Sequence, residues 1–450
     1  MHAPASSIRH GNSIHLEEYE QTVSERNRPE VPTSGEPPLV RALRSILFIQ
    51  GLRAALYGFG SVLIGSFLRV AGFSDVQVGL VFTAMLAGMA LSSVVVGVVG
   101  DRFGRRRCYA VLLLVMGVAG AVYALSDWFP ALLIAALTGT LSTDPNESGP
   151  ITSLEQAMIG EASPETRLSV FGRYNAIAYL AGAVGSLGAA GVAALSRLHP
   201  SMPSTQRWLL LFPVIAIICA WKAFRLSSVV ELSEEERSAA ARDAGVAESH
   251  RRHVPPVVVR LAALFALDSF AGGFVVQTFL VFWFGEKFGA SPELMGTVFF
   301  VAGLLQAVSS VIAARVGIRY GLLNTMVFTH LPSNVLLIAV PFMPTLASAI
   351  GVLLARYALS QMDVPARQAF VAAVVEGKDR TGAAAYTNTA RYVSRPAGPF
   401  VAGALMSTAI AAPFVVAGGL KIVYDVTLYA TFRHVPLPSG SSSASPPSSS

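Results

Sequence analysis

Charged side chains inside long apolar runs are the residues of this sequence that can do chemistry, because a charge in hydrocarbon is costly and by default marks a binding or conducting role. Arg53 stands nine residues into the first such run from Arg44, roughly 13 Å along a helix rising about 1.5 Å per residue. That depth brings it near a bilayer midplane, either as a substrate or counter-ion residue or as half of a structural pair. Aligning Arg44 with Arg260 sets Asp268 opposite Leu52, so Arg53 and Asp268 can face each other across a central cavity. A later run contains Asp144-Pro145-Asn146-Glu147-Ser148-Gly149-Pro150, where prolines and a glycine break the helix and free backbone carbonyls. Partly desolvated carboxylates hold protons more tightly, so Asp144 and Glu147 suit proton coupling. The competing reading is a helix end exposed to water. At an offset of 212, Asp144 aligns with Arg356 and Glu155 with Arg367, which suggests ion pairs that form or break between conformations.

Other polar residues in the runs carry weaker signals. Lys421 and Asp425, one helical turn apart, are expected to pair with each other. Asp363 reads as interfacial, while Arg391 and Arg395, just before Pro396, line a cavity or reach the surface. Gln50, Tyr57, Gln277 and Asn334 are the neutral polar groups expected near a pathway. His330, the one histidine inside a span, reads as a packed neutral ring ahead of a proton relay. These groups bind, pair and carry protons, but they do not form a nucleophile with its base or a metal set with ligand spacing. Cys108 and Cys219 have no partner nearby in sequence. No G-x-x-x-x-G-K-[ST] loop occurs, since Gly377-Lys378 is followed by Asp379. The sequence therefore predicts no enzyme activity, no cofactor and no metal.

The elements that must position these residues are spanning helices. Hydrophobic residues make up 53% of the 450 and charged ones 13%, with a mean hydropathy of +0.56, more apolar surface than a soluble domain can hide. Twelve runs approach the roughly 20 residues that a span requires. Basic residues fall in short clusters between the runs, which is a topological pattern and argues against a nucleic-acid partner. With the N-terminus cytoplasmic, thirteen arginines and lysines lie on the cytoplasmic side and four on the other, so both termini are expected in the cytoplasm of a multi-pass protein of the inner (plasma) membrane. The polar segment 1–38 is expected to be a disordered tail, 39–225 a six-helix bundle, 226–256 a charged linker with a capping box from Ser233 to Glu236, 257–433 a second six-helix bundle, and 434–450 a Ser/Pro-rich tail. The halves repeat. Leu154-Glu155-Gln156-Ala157-Met158 matches Ala366-Arg367-Gln368-Ala369-Phe370, and Val78-Gly79-Leu80-Val81-Phe82 matches Met295-Gly296-Thr297-Val298-Phe299.

Between spans two and three stands Gly97-Val98-Val99-Gly100-Asp101-Arg102-Phe103-Gly104-Arg105-Arg106-Arg107. A glycine permits close helix approach, an aspartate can face a helix N-terminus, and arginines fix the turn. This segment resembles the G-x-x-x-D-R-x-G-R-R loop of the major facilitator superfamily, matching it at Gly97, Asp101, Arg102, Gly104, Arg105 and Arg106. The resemblance extends over about residues 40 to 435 and implies an all-α membrane protein of twelve helices in two pseudo-symmetric bundles, with this loop gating the cytoplasmic side. The second half keeps only Arg319-Tyr320-Gly321 at the equivalent place. Drug:proton antiporters of the superfamily carry an arginine in helix four and Gly-Pro-x-x-Gly-Gly in helix five, which here appear in the other half as Arg356 and Gly398-Pro399-Phe400-Val401-Ala402-Gly403. Glycines 182, 185, 188 and 191 of span five read as a close packing face. The resemblance implies a secondary transporter, with proton-coupled efflux of a small organic or drug-like compound as the expected activity. The alternative is proton-linked uptake of an anionic metabolite or oxyanion, and a non-transporting sensor is more remote. Its expected partners are a small-molecule solute, protons and the lipid bilayer, and a monomer is expected.

Overall fold

The computed structural model describes residues 37–144, 149–160, 164–199, 201, 203–231, 255–374 and 380–434. Most of both tails, the segment from Ser233 to Glu236 and Glu147 lie outside the described residues, as do Gly97, Asp101 and Arg102 beyond their helical backbone. The first half runs α1 (Pro38–Val70), α2 (Asp75–Phe103), α3 (Arg105–Leu125), α4 (Phe129–Leu137), α5 (Pro150–Ile159), α6 (Pro164–Leu198) and α7 (Leu211–Phe224). The second runs α8 (Pro256–Gly273), α9 (Gln277–Phe288), α10 (Pro292–Tyr320), α11 (Leu322–Ala339), α12 (Leu346–Ser360), α13 (Asp363–Val374), α14 (Arg380–Ser394), α15 (Ala397–Met406) and α16 (Ala412–Phe432).

Among the described residues nine helices are long and apolar enough to cross a membrane. Spans four, ten and eleven are each split in two, as α4/α5, α12/α13 and α14/α15, which completes twelve. Span seven is also broken, between α8 and α9. Local chemistry explains several breaks. Pro150 opens α5, where its missing N–H costs nothing. Pro396 stands between α14 and α15, and Gly272-Gly273 ends α8. Elsewhere helices start on side-chain caps, as at Ser74 with Gln77 before α2 and Thr345 with Ser348 before α12.

The outer surface exposes Val94, Val118, Ile134, Ile217, Val311 and Phe328, the inverse of a soluble surface and suited to lipid. Packing inside depends on small residues. A Cβ on Gly185 would lie 1.9 Å from the Ala55 carbonyl of α1, and one on Gly58 of α1 would lie 1.9 Å from the Gly182 carbonyl, so α1 and α6 touch backbone to backbone at Gly182 and Gly185. Gly188 and Gly191, expected on the same packing face, are exposed, and nothing approaches Gly191 within 4 Å. The other side of α6 meets the second half, where a Cβ on Gly296 of α10 would lie 2.3 Å from the Ser186 carbonyl. The halves also meet at α1 on α9 and α2 on α15. Where α2 ends, Gly104 has φ 92°, a left-handed value that favours glycine and lets α3 start immediately.

Candidate functional site

The broken helices converge. A helix that stops inside a bundle leaves backbone groups without partners, and these must be met from elsewhere. The Thr143 carbonyl, in the break of span four, accepts from Thr278 N at 3.2 Å and from Thr278 Oγ1 at 2.8 Å. Asp144 Oδ1 accepts from Gln277 N at 2.9 Å, and its Oδ2 accepts from Arg395 Nη2 at 3.2 Å. Asp144 thus caps the N-terminus of α9 from the opposite half. Tyr57 Oη donates to the Thr140 carbonyl at 2.8 Å and steadies the same break. Gln277 Nε2 donates to Ser61 Oγ at 2.7 Å and Ser186 Oγ at 3.3 Å, crossing again between halves.

Beside this junction lies a cavity of about 450 Å³. Its wall carries the cations Arg356, Arg367, Arg391, Arg395 and Lys421 against the carboxylates Asp144, Asp268 and Asp363. Asp268 is the hub, accepting from Lys421 Nζ at 2.5 Å and Arg367 Nη1 at 3.3 Å. Arg367 also bonds Asp363 Oδ2 at 3.2 Å. Arg356 and Arg391 form no salt bridge among the described residues, and the Nε of each is buried without a hydrogen-bond partner. The cavity wall therefore carries more positive than negative charge.

Of the residues expected along the pathway, Asp144, Asp268, Gln277 and Arg356 line this cavity. Arg53, Gln50 and Tyr57 do not. Arg53 is 2% exposed and bonds Glu155 Oε2 at 2.5 Å, the Gln50 side chain, and Tyr174 Oη at 3.2 Å. Glu155, fully buried, also accepts from the hydroxyls of Tyr109 and Tyr174 at 2.6 Å each. The sealed partner of Arg53 is thus Glu155 and not Asp268, because the charge of span one is met by α5, the second segment of span four in its own half. The expected pairing of Lys421 with Asp425 also fails. Lys421 turns to Asp268, while Asp425 bonds His330 Nδ1 and Asn334 Nδ2, each at 2.9 Å. Glu155 and Arg367 each find partners within their own half, and among the described residues Asp144 with Arg395 and Arg197 with Glu293 are ion pairs that span the halves. Arg391 and Arg395 line the cavity, and Asp363, read as interfacial, does so as well.

In the loop between spans two and three, Glu231 from the end of the first half accepts from Arg105 N at 2.7 Å, Arg106 N at 3.1 Å and Arg106 Nε at 3.0 Å. Arg106 Nη1 donates to the Leu226 carbonyl at 2.7 Å. Burial opposes ionisation of Glu231, but the Arg106 and Arg105 hydrogen bonds outweigh it and hold the carboxyl below its usual range.

The profile of the Major Facilitator Superfamily matches residues 46–360, more than half of the chain. The chain belongs to that superfamily. Superfamily members are carriers and not enzymes, and the chain is a multi-pass membrane protein that moves a small solute. An uncharacterised membrane protein of Saccharomyces cerevisiae is 26% identical over 413 residues, 85% of this chain and 92% of the relative. The arabinose-proton symporter of Bacillus subtilis is 29% identical over 160 residues, 33% of this chain and 34% of the relative. Among solved structures, the xylose transporter of E. coli in its inward-open conformation superposes with a TM-score of 0.63 at 15% identity, covering 89% of this chain and 98% of that one. A nucleoside transporter superposes with a TM-score of 0.65 at 13% identity, covering 87% and 99%. At these identities the structural likeness is one of fold.

Proposed function

We propose that the protein is a proton-coupled secondary transporter of a small anionic solute, working by alternating access. The observation that carries this reading is the cationic wall of the central cavity, where Arg356 and Arg391 lack an ion-pair partner among the described residues. An unmatched guanidinium in a low-dielectric site is costly, and a bound anion would offset that cost. Orientation follows from the arginine bias, with both termini in the cytoplasm. In this reading the end farthest from the termini is closed by α1 on α9, by Arg197 with Glu293 at 2.6 Å across the halves, and by the Asp144 cap. The cavity then opens to the cytoplasm. The Gly97 to Arg106 segment, clasped at Arg105 and Arg106 by Glu231, serves as the cytoplasmic gate, with Asp101, Arg102 and Arg105 in the roles that the family resemblance implies.

Efflux of a drug-like compound, implied by the antiporter resemblance, would call for an apolar cavity wall, and the polar wall weighs against it. The match to a sugar symporter over a third of the chain favours a second reading, proton-linked movement of a neutral polar solute. Proteoliposomes with an imposed pH gradient test these readings when challenged with phosphate, small carboxylates, arabinose, a nucleoside and a lipophilic cation. Gradient-driven accumulation of a carboxylate or phosphate is expected. Accumulation of arabinose alone would replace the anion reading with the second, and accumulation of the lipophilic cation alone would overturn both.

A further inference from the structure

Behind Asp268, His330 of α11 bridges two carboxylates. Its Nε2 lies 3.9 Å from Asp268 Oδ1, and its Nδ1 lies 2.9 Å from Asp425 Oδ1. His330 and Asp268 line the cavity, whereas Asp425 is fully buried behind them. Asn334, one turn along α11, places its Nδ2 2.9 Å from Asp425 Oδ2 and 3.2 Å from His330 Nδ1.

This arrangement serves one proton in either of two places. With the proton on Nδ1, the ring donates to ionised Asp425 and Asn334 donates to the second carboxylate oxygen. With the proton on Asp425 Oδ1, the acid donates to Nδ1 and Asn334 still holds Oδ2. Neither placement leaves Asp425 without partners, so moving the proton does not add the usual penalty for an unmet buried polar group.

The surrounding charges constrain the route. On α16 itself, Lys421 is committed to Asp268, and the ring of Tyr424 stacks edge-on against His330 at 6.0 Å. α8 contributes Asp268, α12 and α13 contribute Arg356, Asp363 and Arg367, and α14 contributes Arg391. α10 carries its charges near its ends, at Glu293, Arg315 and Arg319, and α15 carries none. Among the described residues, His330 is the titratable group hydrogen-bonded to Asp425.

We propose that Asp425 is the proton-carrying carboxylate of the transport cycle, loaded and unloaded from the cavity through His330. A cavity proton binds Nε2 of the neutral ring as the Nδ1 proton passes to Asp425 Oδ1. The ring is left neutral as its Nε2–H tautomer, the carboxyl gains one proton, and release runs in reverse. Loading removes one negative charge next to His330 and Lys421 behind the cavity wall, so a proton and a cavity anion each favour the binding of the other. The purpose of the dyad rests on the transport reading above, but its titration does not.

Infrared difference spectroscopy of the full-length protein in lipid nanodiscs, between alkaline and acidic buffer and with no solute present, tests the proposal directly. A protonated-carboxyl band is expected to appear on acidification, to vanish in Asp425→Asn and to persist in Asp144→Asn. Its midpoint is expected to move by about one pH unit or more in His330→Gln, which loses the ring that stabilises the ionised acid. Should Asp425→Asn fail to fold, Asp425→Glu must shift the band and His330→Gln its midpoint. A band that survives Asp425→Asn, or that is unmoved in both other variants, overturns the dyad. A failed solute screen would leave this titration standing, so the two failures are distinguishable.

Discussion

Asp144, in the break of span four, accepts a hydrogen bond at 2.9 Å from the backbone nitrogen of Gln277, the first residue of α9 in the opposite half. One carboxylate therefore caps a helix that it does not precede in sequence, and it holds the two bundles together while also bonding Arg395. The halves cannot part at this level without uncapping α9.

Loss of this cap should shift the conformational balance. An N-cap contributes about 1 kcal/mol, roughly a fivefold change in an equilibrium. In a background with Cys108 and Cys219 replaced by alanine, a cysteine at Ser66, at the end of α1 farthest from the termini, should be labelled by maleimide about fivefold faster in Asp144→Ala. Asp144→Asn, which can still accept from Gln277, should fall between. Equal labelling rates in all three proteins would remove Asp144 from any role in closure.

Arg53 should behave as a structural residue. Arg53→Ala leaves Glu155 buried opposite two tyrosines, and breaking a buried pair from one side costs about 3–5 kcal/mol. Thermal unfolding in detergent should register that loss, and adding Glu155→Gln should recover most of it. Adding Asp268→Asn should recover none, because Asp268 is engaged with Lys421 and Arg367.

For the anion that accumulates in proteoliposomes, Arg356→Ala and Arg391→Ala should each raise KM by roughly 10- to 100-fold, the range expected from losing one charged hydrogen bond of about 1.5–3 kcal/mol. The maximal rate should change far less. A fall in maximal rate at constant KM would place these arginines in the conformational change instead of in binding.

The Glu231 clasp should loosen in acid. A carboxyl held below its usual range contributes stability that is complete above the unfolded value and is lost as pH falls through the folded one. Glu231→Gln should reproduce the acid effect at neutral pH, read as faster tryptic cleavage after Arg105, Arg106 and Arg107. Cleavage at the wild-type rate would limit Glu231 to local packing.

The spans, the duplicated half and the break at Asp144 were legible in the sequence, because hydropathy, repeat offset and prolines are local or additive signals. The partners were not. Lys421 and Asp425 satisfy the i, i+4 spacing of a helical pair, yet each turns to another helix, since a buried charge takes whichever opposite group the bundle brings nearest. The same limit hid Glu155 from Arg53 and Glu231 from Arg106, pairs separated by 102 and 125 positions. The sequence puts a packed neutral ring ahead of a proton relay at His330, because periodicity does not reveal that two carboxylates flank it. The sequence points to four of the cavity residues, while the other charged ones, Asp363, Arg367, Arg391, Arg395 and Lys421, carry weaker signals because most of their partners lie on other helices.

The seam between α6 and α10 consists of small residues, with Gly296 against Ser186 and Gly303 against Ala183. Bulky side chains would interlock as ridges in grooves and fix one crossing angle. This seam has few ridges to climb, so under the proposed alternating access it would act as a bearing that keeps the halves in contact while one rolls on the other. One end of that stroke, with the side farthest from the termini shut, is then set by the polar clasps at Asp144 and Glu293, and a single bulky side chain at Gly296 would jam the proposed movement without touching a charge.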